Sequence, residues 1–183
     1  ELAPFAAPPY RYGGVWTSPN HAVERGPRMP NTDNARTDVA VIGGGFAGTA
    51  AAITLARANR RVTLIDAGQP RNRFSEHAHG ILGMDGVPPM ELRDRGLTEF
   101  QSFGGTLVRA TADALSPTNG GWRTTLSTGE VLRSRHVVVA TGITDRLPDV
   151  PGLRELWGTR VFHCPYCHGW EVRGRSIALI GGA

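Results

Sequence analysis

The sequence predicts a three-layer α/β domain with an inserted β-meander. Three observations carry that expectation. Two short apolar runs, Val39–Ile42 and Arg61–Ile65, flank the alanine- and leucine-rich stretch Thr49–Ala58, the order of a strand–helix–strand unit. Glycines at 43, 44, 45 and 48 stand where the first strand must turn into the helix. Further on, short alternating segments punctuated by Asn119-Gly120-Gly121 and Thr128-Gly129 read as hairpins.

In chain order, residues 1–36 carry six prolines and no sustained apolar period, and are expected to form a flexible tail. The first unit, Asp38 to Asp66, follows. Ala67 to Pro89 is rich in glycine and proline and reads as loop, whereas Met90–Phe103 spaces Leu92, Leu97, Phe100 and Phe103 near helical periodicity. Alternating strands are expected at Thr106–Ala110, Ala112–Leu115, Trp122–Ser127 and Glu130–Arg133, then a buried strand at His136–Ala140 ending in Thr141-Gly142. The first domain is thus expected over residues 37–147. Pro148 and Pro151 mark a linker, and Ile177–Ile180 repeats the first strand's pattern before Gly181-Gly182-Ala183. Residues 148–183 therefore read as the incomplete start of a second unit, and the chain as the N-terminal portion of a longer protein.

Bulk composition excludes several function classes. Hydrophobic residues at 40% suffice for a core. All twenty basic residues are arginine, giving a net charge of +4, but they are scattered and make no basic stripe with interleaved aromatics. Nucleic-acid binding is not expected. No segment reaches the roughly 20 apolar residues of a membrane span, and no apolar signal-peptide core stands near the start, so a cytoplasmic protein is expected.

The run Gly43-Gly44-Gly45-Phe46-Ala47-Gly48 contains G-x-G-x-x-G after a strand and before a helix. There, glycines allow a tight turn, close approach to a pyrophosphate, and tight helix-on-strand packing. The pyrophosphate meets free N–H groups at the helix start, and Asp66, closing the second strand, stands where an acid holds a ribose hydroxyl. The loop after it, with Ala67, Arg71, Arg73, His77 and His79, should run along that cofactor.

Cys164 and Cys167 are the only cysteines, three residues apart, between His163 and His168. Such a pair suits a redox dithiol, haem attachment through Cys-x-x-Cys-His, or a metal. In the redox reading one thiolate attacks substrate, the other faces a flavin, and a neighbouring histidine tunes a thiol or shuttles its proton. As zinc ligands the four are crowded into one segment, and no second pair exists; no metal site is expected.

With these pieces in order, the sequence resembles the thioredoxin reductase family of FAD-dependent pyridine nucleotide-disulfide oxidoreductases, over roughly Asp38 to Ala183. The resemblance rests on GGGFAG with Asp66, on Ala140-Thr141-Gly142, on the cysteine pair, and on the new strand with its glycine turn. The runs DAGQPRNRF, HGILG and CPYCHGWE are similar to a bacterial subgroup and to the dithiol oxidases of gliotoxin and holomycin biosynthesis. The resemblance implies a Rossmann-like FAD domain and electron transfer between FAD and the Cys164–Cys167 disulfide. Gly43, Gly45, Phe46, Ala47, Gly48, Asp66, Ala67, Arg73, His79, Thr141 and Gly142 would bind FAD. Cys167 would be the flavin-proximal thiol, Cys164 the exchanging one, and His168 an acid–base group. It further implies a thioredoxin-like protein or a small dithiol as partner, and a homodimer. Two departures stand out. His168 replaces the acidic residue of the reductases and is shared with the dithiol oxidases, which use oxygen. Gly181-Gly182-Ala183 lacks the third glycine of the reductases' NADPH fingerprint, so NADPH is expected only for the longer protein.

Overall fold

The computed structural model describes residues 37–180. The expected tail and the Gly181-Gly182-Ala183 turn lie outside them. The described chain contains β1 (Thr37–Ile42), α1 (Phe46–Arg57), β2 (Val62–Ile65), a 3₁₀ turn at Arg71–Phe74, α2 (Pro89–Ser102), β3 (Thr106–Val108), β4 (Ala112–Thr118), β5 (Gly121–Leu126), β6 (Val131–Val139) and α3 (Pro165–His168). One sheet runs through it in the order β3-β2-β1-β6-β5-β4. β1 pairs in parallel with β2 and β6, and β2 with β3, while β4, β5 and β6 pair antiparallel.

Alternation along β1 and β2 assigns the two faces. Val39, Val41, Val62 and Leu64 point to one side, where Ala52 and Ala56 of α1 and Leu97 and Phe100 of α2 cover them. Small residues on α1 let the helix lie close to the sheet. Phe100 is fully buried, which contributes about 1.5–3 kcal/mol. Ile42 and Ile65 point to the other side and pack with Ala110, Leu126 and Leu132. Helices, parallel strands and meander thus form the three layers.

Four expectations need correction. Thr106–Val108 is not a meander strand but a third parallel strand, paired with β2 through Leu64↔Leu107. The expected break between Glu130–Arg133 and His136–Ala140 is absent. β6 is continuous because its first half pairs with β5 and its second half with β1, Ser134 serving both. On α2 the buried face is Pro89, Arg93, Leu97 and Phe100, and Phe103 is exposed. Ile177–Ile180 is not a strand: Ile177, Leu179 and Ile180 are exposed, and the segment pairs with neither edge of the sheet. An apolar run becomes a parallel strand only where a neighbouring ladder takes its N–H and C=O groups.

Candidate functional site: a cleft between a glycine turn and a disulfide

β1 and β6 end side by side, with Ala140 N–H donating to Ile42 C=O at 2.8 Å. Beside β1 the sheet changes direction, the β1–α1–β2 unit running one way and β6 lying on the other side, and ligands settle in the crevice outside strand ends at such a point. Here the crevice is a cleft of about 740 Å³.

Two glycines make the turn possible. Gly43 has φ +104°, and a Cβ there would strike the Ala140 carbonyl. A Cβ at Gly48 would strike the Gly43 carbonyl, so Gly48 sets the seat of α1 on the turn and does not itself line the cleft. The remaining predicted residues Gly45, Phe46, Ala47, Asp66, Ala67, Arg73, His79, Thr141 and Gly142 all do. Gly45 stands at the N-cap of α1, which has no side-chain cap and no acid in its first turn, so its positive end faces the cleft unoccupied by its own chain.

Asp66 is 5% exposed and already well partnered. Its Oδ1 accepts the Gly44 N–H at 3.1 Å, and its Oδ2 accepts from Arg93 and, at 3.0 Å, from Arg109. Burial works to raise its pKa but is outweighed by Arg93 and by the N–H groups of Gly68 and Gly44, which hold the carboxyl below the usual range. Neither arginine stood out in the sequence as a partner of this site. Arg93 left one signal: it sits four residues before Leu97 on the buried face of α2, where an arginine needs a carboxylate. Arg73 folds back, donating to the Pro70 carbonyl at 2.9 Å and lying over the Phe74 ring.

The far wall comes from residues 157–168. Arg71 ties the 3₁₀ turn to this side through two bonds to Asp145, at 2.8 and 2.5 Å. Cys164 and Cys167 are joined as a disulfide across a Cα separation of 5.3 Å. Cys167 and His168 line the cleft and Cys164 does not. His168 stacks on Phe162 with ring centres 4.2 Å apart, a contact not foreseen. Burial lowers the His168 pKa, His79 lowers it further, Glu171 acts the other way, and His163 adds to the lowering. His163 lies on the Trp157 ring.

Residues 37–183 match the pyridine nucleotide-disulphide oxidoreductase family. The chain belongs to that family. Within it, the chain is thioredoxin reductase-like: it is 37% identical over 145 residues to the thioredoxin reductase sirT of Leptosphaeria maculans, covering 77% of this chain and 44% of that protein. The crystal structure of HlmI superposes with a TM-score of 0.72 at 45% identity, over 77% of this chain and 46% of that one. An oxidoreductase from Agrobacterium tumefaciens superposes with a TM-score of 0.72 at 39% identity, over 75% of this chain and 47% of that one. The chain thus spans about half the length of the relatives it matches. The family implies FAD and NAD(P)H. The residues of this cleft fit the flavin dinucleotide: a glycine turn with open space at Gly45, an uncapped helix start, and a volume within the usual range of cofactor sites.

Proposed function

We propose that this chain forms part of a flavin-dependent thiol–disulfide oxidoreductase in which Cys164 and Cys167 exchange electrons with FAD on one side and an external dithiol on the other. The observation that carries this is the meeting of Cys167 and His168 with the Gly43–Ala47 turn in one cleft. Gly43, Gly45, Phe46, Ala47 and the start of α1 would hold the pyrophosphate of FAD, with Gly48 seating the helix, Asp66 and Ala67 beside the ribose, and Thr141 and Gly142 along the far end. When bound, FAD supplies a two-electron redox centre. Cys164, facing away from the cleft, takes the substrate sulfur. Cys167, facing into it, is the flavin-side thiol. His168, largely neutral near pH 7 because of its burial, accepts a thiol proton.

The reading fits a homodimer in a reducing, cytoplasmic setting, where a cycling cysteine pair is at home. A thioredoxin-like protein is the first partner proposed. A small-molecule dithiol oxidised at the expense of oxygen is the second, favoured by the half-buried His168 imidazole where the reductases hold an acid.

The test is to add FAD to the purified chain and to the longer protein that contains it. Absorbance near ~450 nm that stays with the protein through gel filtration, bleaches with dithionite, and is perturbed in a C167S variant supports the reading. No retained flavin in either form would overturn it. Anaerobic NADPH that bleaches the flavin favours the reductase, and bleaching by a dithiol alone, reversed by oxygen, favours the oxidase.

A further inference from the structure

We propose that His79 is a relay residue, passing the proton taken up by His168 to the carboxylates of Asp85 and Glu171 and so to solvent. The proposal rests on the reading that the Cys164–Cys167 pair is redox-active.

The buried Nδ1 of His168 has no hydrogen-bond partner among the described residues. A buried ring nitrogen without a partner needs explaining. The His79 ring stands edge-on to it, with ring centres 6.4 Å apart at 78°, which brings the two rings within reach of one bridging water. His79 is hydrogen-bonded to an acid through Nδ1 alone; its Nε2 lies beyond hydrogen-bond distance of Glu171 and is open to a water from His168. Its Nδ1 is 3.3 Å from the Asp85 carboxylate and its Nε2 is 3.6 Å from Glu171 Oε1. The His79 side chain is 16% exposed, Glu171 39% and Asp85 72%, so exposure rises along the chain of groups from the cysteine pair outwards.

The geometry is set in advance. Ala78 N–H donates to the Val87 carbonyl at 2.9 Å and Gly86 N–H to the Ala78 carbonyl at 2.8 Å, which brings His79 opposite Asp85. The Gly80 N–H steadies the Asp85 carboxylate at 3.2 Å. His77 is as near to His79, with ring centres 6.4 Å apart, but its Nδ1 is engaged by the Gly86 carbonyl, and His163 lies on the Trp157 ring. Among the described residues no three of these His, Asp or Glu groups converge as metal ligands, so a cation site does not account for the arrangement.

In the step, a dithiol substrate loses its first proton to His168 as its sulfur bonds to Cys164. The Cys164–Cys167 bond breaks and Cys167 leaves as a thiolate. The second substrate sulfur then attacks the first, its proton going to Cys164, and the substrate departs as a disulfide. Two electrons have passed to the cysteine pair. One proton rests on Cys164. The other passes from His168 through His79 while the first thiol is being deprotonated, so the first reduction of the disulfide already depends on His79.

The test follows reduction of the disulfide by dithiothreitol in the wild-type chain and in H79A, H79Q and H168A, with circular dichroism and thermal melting as checks on folding. H79A and H79Q should slow exchange about tenfold or more. Imidazole in the buffer should restore H79A and leave H168A slower than wild type. H79A that exchanges at the wild-type rate, or that is slowed but indifferent to imidazole, overturns the relay and leaves the redox pair standing. A folded wild type whose disulfide is inert to dithiothreitol overturns the redox reading and the relay with it.

Discussion

Arg93 of α2 reaches under the sheet end and donates to the Asp66 carboxylate, burying a charge pair in which the arginine is 4% and the aspartate 5% exposed. The acid that the fingerprint places beside a ribose is therefore held from behind. Its position depends on a helix more than twenty residues further along the chain.

Removing that support should be costly. In R93M the Asp66 carboxylate stays buried with only the Gly44 and Gly68 N–H groups and the half-exposed Arg109 as partners, and stability should fall by about 3 kcal/mol. Urea denaturation followed by circular dichroism measures it. A loss below about 1 kcal/mol would mean that these remaining partners suffice.

The same pair predicts an acid limb. The Asp66 pKa is lower in the folded state than in the unfolded one, so its contribution is present above the unfolded value, near 3.8, and is lost as pH falls through the folded value. In R93M burial, already the largest single influence, loses its main opponent and works to raise that pKa. The Asp66 contribution between pH 5 and pH 3 should therefore flatten or reverse sign. Denaturation midpoints across that range, in wild type and variant, check the direction.

Glycines of the turn should separate fold from binding. A Cβ at Gly48 meets the Gly43 carbonyl, so G48A must shift α1 and should cost about 1–3 kcal/mol along with flavin retention. A Cβ at Gly45 meets nothing within 4 Å, so G45A should keep its stability to within about 1 kcal/mol. Because Gly45 lines the cleft, G45A should nevertheless weaken FAD retention. Thermal melts and flavin fluorescence after gel filtration report the two effects.

His168 should titrate below the ordinary histidine value of 6.5, because of its burial first and then His79, against the opposing pull of Glu171. With the folded pKa depressed, the unfolded chain takes up the proton first. Stability should decline as pH falls from about 6.5 towards the folded value. Removing the stacked ring in F162A should open the site and move the His168 midpoint back up. Imidazole resonances followed through a pH titration give both values.

The glycine turn, the acid after β2 and the cysteine pair were legible in the residues because each is a short pattern. G-x-G-x-x-G and Cys-x-x-Cys each span a single turn, although the contact that bars a Cβ at Gly43 comes from Ala140, just after β6. Helix α2 was legible in its period but not in its buried face, where Arg93 takes a place that hydropathy assigns to an apolar side chain. The continuity of β6 was hidden too, since Ser134 and Arg135 look like a break until two different neighbours pair with the two halves.

By itself, then, the sequence determined the strand–helix–strand unit, the position of the glycine turn and the spacing of the cysteine pair, all readable from short-range pattern. Only the tertiary structure decided that Cys167 faces the cleft while Cys164 does not, that Arg93 and Arg109 close on Asp66, and that His79 stands between two carboxylates and the His168 ring. Each of these joins residues from separate elements, and no spacing along a chain records which side chains the packing of those elements will bring together.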